Sequence, residues 1–403
     1  FLLTYAQAPV VRDNGQHDSP ETAQPVSPPC EIAGRIERKG GHGCYAFAAK
    51  KGEVYSIEAY GDRLGAPLDL YFQLRDARGK TMTEMDDNPE LLHPIQFYTR
   101  TDDPPRYRFV VPADGTYQLL VGSREASVQA GPRDFYRVRI TPEAPDFRLV
   151  VMPPSITSPD AAVVRAGGRQ YYTVFVWRQD GWDQPITLTA EGLPEGVTCP
   201  PQSVGPGAME ATLVVSAAPD ARAWVGAIRV KGTATVNGQT LVREARAATI
   251  TWPTPPQQNV PTISRLDRQV VLAVRPDKTP YTLDAGVANV SAAPGEKITI
   301  PVKVARQGDF KTPIQVSVLN LPDGQRGRNR RNNPANTVQV SKDSGSMVVD
   351  LRGNVPPGTY TLVLRGDTQP PGRGGQARQQ GSANLVQVSA PITLTVTPRR
   401  VGR

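Results

Sequence analysis

Residues 68–88 read LDLYFQLRDARGKTMTEMDDN. Leu68, Leu70, Phe72 and Leu74 alternate with Asp69, Tyr71, Gln73 and Arg75, a period of two that turns one face of an extended strand inward. Asp76-Ala77-Arg78-Gly79 supplies turn chemistry, and Gly79 is free to take a positive φ. Thr81-Met82-Thr83 resumes an extended run, and Asp86-Asp87-Asn88-Pro89 closes it with an acidic corner that cannot continue a central strand. The stretch predicts a hairpin and sets the pattern for the whole chain.

That pattern recurs over 403 residues, a length that suits two to four domains. Forty Pro and 36 Gly argue against long helices. Short alternating runs between Pro, Gly, Asp and Asn clusters predict an all-β chain. In the first part, strands are expected at 31–37, 44–49, 53–60, 68–75, 79–84, 95–99, 106–111, 116–122 and 134–141. No apolar run long enough to cross a membrane follows the start of the chain. Phe1-Leu2-Leu3-Thr4-Tyr5 is apolar, and Ala6-Gln7-Ala8 has the small-x-small form of a processing site, which reads as the tail of an export signal, with an ordinary extended arm as the alternative. Cys30 and Cys44 flank an expected first hairpin, so a single disulfide between them fits an oxidising compartment; two unpaired small apolar side chains are the other reading. Cys199 reads as a buried thiol, because no His lies in its domain to activate it.

The first third of the chain carries a resemblance. Gly34-Arg35-Ile36, Tyr45-Ala46-Phe47-Ala48-Ala49-Lys50-Lys51-Gly52-Glu53, Leu64-Gly65-Ala66-Pro67-Leu68-Asp69 and Leu74-Arg75-Asp76-Ala77-Arg78-Gly79-Lys80 follow in order. Asp86-Asp87, Val111-Pro112-Ala113-Asp114-Gly115-Thr116-Tyr117 and Tyr136-Arg137-Val138 come after them. The ordered set resembles the bacterial pre-peptidase C-terminal domain, a β-sandwich related to the collagen-binding domains of collagenases, over residues 18–148. Where that family has Gly-Asp-x-Asp before its Tyr-x-Phe strand, this chain has Gly41-His42-Gly43-Cys44, so a role resting on those two acids does not carry over. Asp86-Asp87-Asn88 with Asp18 and Asp69 offers hard oxygens of the kind calcium takes. The resemblance implies Asp18, Asp86 and Asp87 as the metal positions; solvated turn carboxylates are the alternative.

The rest of the chain repeats itself. Gly167, Arg178, Gln179, Pro185, Ile186, Leu193 and Pro194 recur 128 residues later as Gly295, Arg306, Gln307, Pro313, Ile314, Leu321 and Pro322. Alternating strands at 248–253 and 392–398 are expected to end the two copies. Such units resemble the Ig-like modules of large secreted bacterial proteins. The expected architecture is three tandem β-sandwiches: an arm or linker at 1–29, a pre-peptidase-like jelly-roll or sandwich at 30–147, an Ig-like sandwich at 148–253, a linker at 254–264, a second Ig-like sandwich at 265–398 and a basic tail at 399–403. Tyr171, Thr173, Phe175 and Trp177 fall on one side of a strand, which reads as core packing, with a sugar-binding platform as the alternative.

Three His, at 17, 42 and 93, and the absence of Gly-x-Ser-x-Gly, His-Glu-x-x-His or phosphate-loop patterns argue against an enzyme. Charge is uneven: from Arg265 onward 20 Lys and Arg face nine Asp and Glu, which more than accounts for the net charge of +8. Arg326, Arg328, Arg330 and Arg331 in an inserted loop, with Arg399 and Arg400 in the tail, are the expected partner-binding residues. Guanidinium forks suit carboxylate or phosphate held in fixed geometry. Sparse aromatics and the lack of a nucleic-acid motif exclude strand recognition. The expectation is a non-catalytic, exported scaffold or accessory subunit of a cell-envelope assembly, periplasmic, cell-surface or extracellular. It would dock on envelope proteins with an acidic surface; anionic polysaccharide or a membrane surface are the alternatives. The other functional reading is an ancillary region that targets a secreted hydrolase to matrix or polysaccharide.

Overall fold

Leu70, Phe72 and Leu74 are fully buried and Leu68 nearly so, on the face their alternation assigns to the core. The turn after them forms as read: Gly79 has φ +77, and the Asp76 side chain accepts from the backbone N–H of Arg78 and Lys80. The structure, a computed structural model, describes residues 5–87, 101–154, 162–252, 263–322, 337–368 and 385–399. It is all β apart from two short 3-10 turns among the described residues. By contact it divides into two units. The first holds the described residues up to Asp146 with 179–181; the second holds Phe147–Arg178 and the described residues from Trp182 on.

The first unit is built from β1 (Val10–Arg12), β2 (Gln24–Pro25), β3 (Cys30–Arg35), β4 (Gly43–Ala49), β5 (Val54–Tyr60), β6 (Leu70–Arg75), β7 (Thr81–Met85), β8 (Tyr107–Val110), β9 (Gly115–Ser123) and β10 (Phe135–Pro142). They form two five-stranded sheets, β1-β3-β10-β5-β8 and β2-β4-β9-β6-β7. One core lies between them, with Ile32, Phe47, Ile57, Phe72 and Val138 at its centre. The strand expected at 95–99 lies outside the described residues. The segment expected to be a linker before Cys30 supplies an edge to each sheet: β1 pairs parallel with β3, and β2 pairs parallel with β4. Strands of three and two residues carry no readable period, so tertiary pairing decides them.

The expected Cys30–Cys44 disulfide is corrected: both cysteines are free and buried. Cys30 points from β3 into the core, whereas on β4 it is Tyr45, Phe47 and Ala49 that face that core. Alternation therefore sends Cys44 to the opposite side of its own sheet, and the two sulfurs face different compartments. Burial pushes each thiol up to about 11. Neither should react with a thiol reagent at neutral pH until the protein unfolds, and a reductant should leave the melting temperature unchanged. A shift on reduction, measured by calorimetry, would restore the bridge.

The second unit contains four sheets that pair off around two cores. The first pair uses β11 (Asp146–Met152), β12 (Val163–Ala166), β13 (Arg169–Gln179), β14 (Ile186–Glu191), β15 (Val197–Thr198), β16 (Gln202–Val204) and β17 (Glu210–Ala217). It continues with β18 (Trp224–Val236), β19 (Gln239–Glu244), β20 (Arg246–Trp252), β21 (Ile263–Leu266) and β22 (Val270–Lys278). Their orders are β12-β22-β18-β14-β16 and β15-β17-β13-β11-β20-β21. The second pair uses β23 (Tyr281–Ala285), β24 (Asn289–Ala292), β25 (Lys297–Arg306), β26 (Ile314–Leu319), β27 (Thr337–Val340), β28 (Ser344–Asp350), β29 (Gly358–Asp367), β30 (Val386–Val388) and β31 (Ile392–Val396). Their orders are β24-β31-β29-β26-β27 and β23-β25-β28.

The repeat is therefore topological as well as sequential. Ile186 and Ile314 open equivalent strands and are fully buried. Arg178 lies over the Trp182 ring, and Arg306 over the Phe310 ring. Sheet membership does not follow the 264/265 boundary, because β21 pairs with β20, and β22 with β12 and β18. The counterpart of β31 is β22, not the run beginning at Ala248, since both β31 and β22 lie between a short parallel strand and the long strand after it in the sheet order. Most of the expected linker, 254–262, lies outside the described residues.

The two sandwiches of this unit are interlocked. Tyr172, Val174 and Val176 face the first core, while Tyr171 projects from the outer face and is buried with Val214, Val363 and Val388. Arg365 donates to the Tyr171 hydroxyl at 3.0 Å, and Thr361 Oγ1 accepts from Ser203 N–H at 2.8 Å. Tyr360 donates to the carbonyls of Pro206 and Pro356, and its ring lies so close to Gly205 that a Cβ there would stand 2.2 Å from it. Phe175 is buried with Val150, Met152 and Ala248. The aromatic row is thus packed on both faces of its sheet and offers no open platform.

Candidate functional site

The acidic corner forms at the end of the β6–β7 hairpin. Asp69 precedes β6 and Asp86-Asp87 follow β7, so the sheet brings the three carboxylates together, with one oxygen of each within 4.8 Å of the others. Burial, then Asp87, Asp86, Asp102 and Glu125, push the Asp69 carboxyl above its ordinary value. Arg124 holds one side: its guanidinium donates to Asp86 Oδ2 at 2.8 Å, pairs with Glu84, and lies 4.2 Å from the centre of the Tyr71 ring. One oxygen of Asp69 and one of Asp86 are enclosed with no hydrogen-bond partner among the described residues. An all-oxygen set of this kind suits a hard divalent cation such as calcium. Asp18 does not join it; that carboxylate pairs with Arg38. The residue that completes the cluster is Asp69, which the strand alternation places on the solvent face beside the corner.

Arg326, Arg328, Arg330, Arg331 and Arg400 lie outside the described residues. Arg399 is exposed, with its guanidinium over the turn at Gly353.

A second feature escaped the sequence reading. In the sheet β12-β22-β18, the residues facing the core are Val164, Val270, Leu272, Val274, Ile228 and Val230. Val163, Val225, Ala227, Val271 and Ala273, which alternate with them, face outward and are also apolar. Val163 pairs across to Ala273 and on to Val225, and Val271 pairs to Ala227. Val225 is 72% exposed and Val163 41%. The strip is bounded at one end by Arg165 opposite Arg275, and at the other by Arg229. Asp277 pairs with both Arg165 and Arg275, and Glu191 with both Arg229 and Lys231, leaving each end with excess positive charge. The same positions of the second copy are polar: Asn289 opposite Thr393 and Thr361, and Ser291 opposite Thr395 and Thr359. The fold therefore does not require apolar groups there. The signal in sequence was a strand apolar on both faces (VVLAV at 270–274), which a search for alternation passes over.

No protein-family model matches the chain, and no curated protein matches it either.

Proposed function

We propose that the chain is a non-catalytic scaffold or accessory subunit of a bacterial cell-envelope assembly, and that it docks on a partner protein through the outer face of β12, β22 and β18. The observation that carries this reading is the strip Val163–Ala273–Val225 with Val271 and Ala227, exposed at Val163, Val225 and Ala227 and half-buried at Ala273 and Val271, in one copy of a repeat whose other copy is polar at every matching position. Exposed apolar surface rimmed by charge marks interaction sites more often than it serves the fold. The arginines at both ends select the partner's chemistry: an apolar patch flanked by carboxylates. A second copy of the chain would bring arginine against arginine. Export and an envelope location rest on the resemblances in the sequence.

The test is native recovery from solubilised envelope with three baits: the full chain, Val225→Glu, and Thr359→Glu on the matching polar face of the other copy. A stoichiometric partner held by the full chain and by Thr359→Glu, lost at least tenfold with Val225→Glu, and weakened by added salt supports the reading. A partner indifferent to Val225→Glu, or none at all, overturns it.

A further inference from the structure

Within the first unit one buried group is unaccounted for. His17 is 3% exposed, on the segment joining β1 to β2. Its backbone carbonyl accepts from Cys44 N–H at 2.8 Å, which ties it to the edge of β4. Its Nδ1 faces Asp13 Oδ1 at 3.2 Å and Asn14 Oδ1 at 3.0 Å. Two acceptors on that side place the ring proton on Nδ1 and leave Nε2 a bare lone pair. That Nε2 is enclosed and has no hydrogen-bond partner among the described residues.

Two phenols lie beside it, and the imidazole packs against the Tyr45 ring with centroids 4.9 Å apart. Tyr45 from β4 and Tyr136 from β10 are 0% and 1% exposed, and their hydroxyls meet at 2.7 Å. Gly43 lies under all three groups: a Cβ there would stand 2.4 Å from the Tyr136 hydroxyl and 2.9 Å from both His17 Nε2 and the Tyr45 hydroxyl. Only glycine lets these atoms converge. Asp13 reaches both sides, with Oδ2 at 3.5 Å from the Tyr45 hydroxyl. The Arg35 backbone N–H also donates to Asp13 Oδ2, at 3.4 Å.

We propose that His17 Nε2, Tyr45 Oη and Tyr136 Oη form a buried metal site that takes ferric iron. A histidine that gives its other ring proton to a carboxylate is the usual posture of a metal ligand, because that contact fixes the tautomer and raises the basicity of the free nitrogen. Phenol oxygens and imidazole suit iron, and a trivalent cation is what can draw protons from two enclosed phenols. Each phenol would give up its proton to the buffer as the ion binds. Cys44, on the other face of β4, stays outside, so the set holds no soft ligand. Asp13 acts as a positioning residue.

Ferric nitrilotriacetate titrated into the purified full chain should raise a visible phenolate-to-iron charge-transfer band that saturates at one equivalent. His17→Gln and Tyr136→Phe should each weaken binding at least tenfold, and Asp86→Asn with Asp87→Asn should leave the band unchanged, which separates this site from the acidic corner. Circular dichroism checks that the variants fold; His17, at the edge of the sheet, keeps the test decisive should Tyr136→Phe unfold. No band with the wild-type chain overturns the proposal, as does a band that survives His17→Gln or that fails to saturate at one equivalent.

Discussion

Arg139→Met will destabilise the first unit by about 3–5 kcal/mol, the usual cost of breaking a buried ion pair from one side. Arg139 is 5% exposed on the outer face of β10. Its Nε donates to Glu31 Oε2 at 3.1 Å, its Nη1 to the Tyr60 hydroxyl at 2.9 Å, and its Nη2 to the Tyr5 carbonyl at 3.3 Å. Glu31 has no exposure at all. The methionine keeps much of the packing, so the loss isolates the charge. Arg137→Met, whose single contact with Glu31 is 3.6 Å on a side chain 26% exposed, should cost about 1 kcal/mol or less. Urea midpoints at constant m-value measure both. Equal, small losses would mean that Glu31 does not depend on Arg139.

The same face sets the acid limit. Burial tends to push the Glu58 carboxyl up, but Arg106, the Tyr60 hydroxyl and Arg63 together hold it below its ordinary value. A carboxyl depressed in the folded state stabilises fully above its unfolded pKa, and that contribution is lost as pH falls through the lower folded value. Stability should therefore decline only below the ordinary glutamate range, and Arg106→Met should flatten that acid limb.

Tyr360→Ala will cost the second unit about 3–5 kcal/mol, the range for deleting a large buried ring. Tyr360 is 3% exposed in the core of the second sandwich, yet its hydroxyl donates to Pro206 and its ring covers Gly205, both in the first. The deletion opens a cavity and unpins the join at once. Tyr360→Phe retains the ring and loses the hydroxyl's contacts, which is worth about 0.5–1.5 kcal/mol. The two sandwiches should then unfold in separate steps in the alanine variant, seen as non-coincident transitions by tryptophan fluorescence and circular dichroism. A single unshifted transition would show that the join contributes nothing to cooperativity.

How much of this was legible follows from the range over which each signal acts. The all-β class and the core face of residues 68–74 were readable because a period of two is written locally. The equivalence of Arg178 and Arg306 was readable because a repeat can be aligned with itself. The thiols at Cys30 and Cys44 were misread because closeness in a hairpin says nothing about which side of a sheet each side chain takes. The place of β22 was hidden because a composition-based linker looks the same whether the next strand stays or leaves. Asp69 could be grouped with the acidic corner because the hairpin's alternation is local, whereas Asp18, far off in sequence, pairs with Arg38 instead, which no local pattern records.

The join between the copies is a matter of direction. One copy contributes a socket, Tyr171 and Val214, and the other a plug, Leu319 opposite Val363. At the socket positions of the second copy stand Thr299 and an exposed Val348, with Lys303 where the first has Phe175. At the plug positions of the first copy stand Glu191 and Arg229, closed on each other as an ion pair at 3.1 Å. A head-to-tail contact has no symmetry to stop it, and one repeated at both ends would grow into a filament. Here the other socket and plug positions carry threonine, lysine and an ion pair, so among the described residues the join is made once and in one direction, and a further join of the same kind would require changing both faces at once.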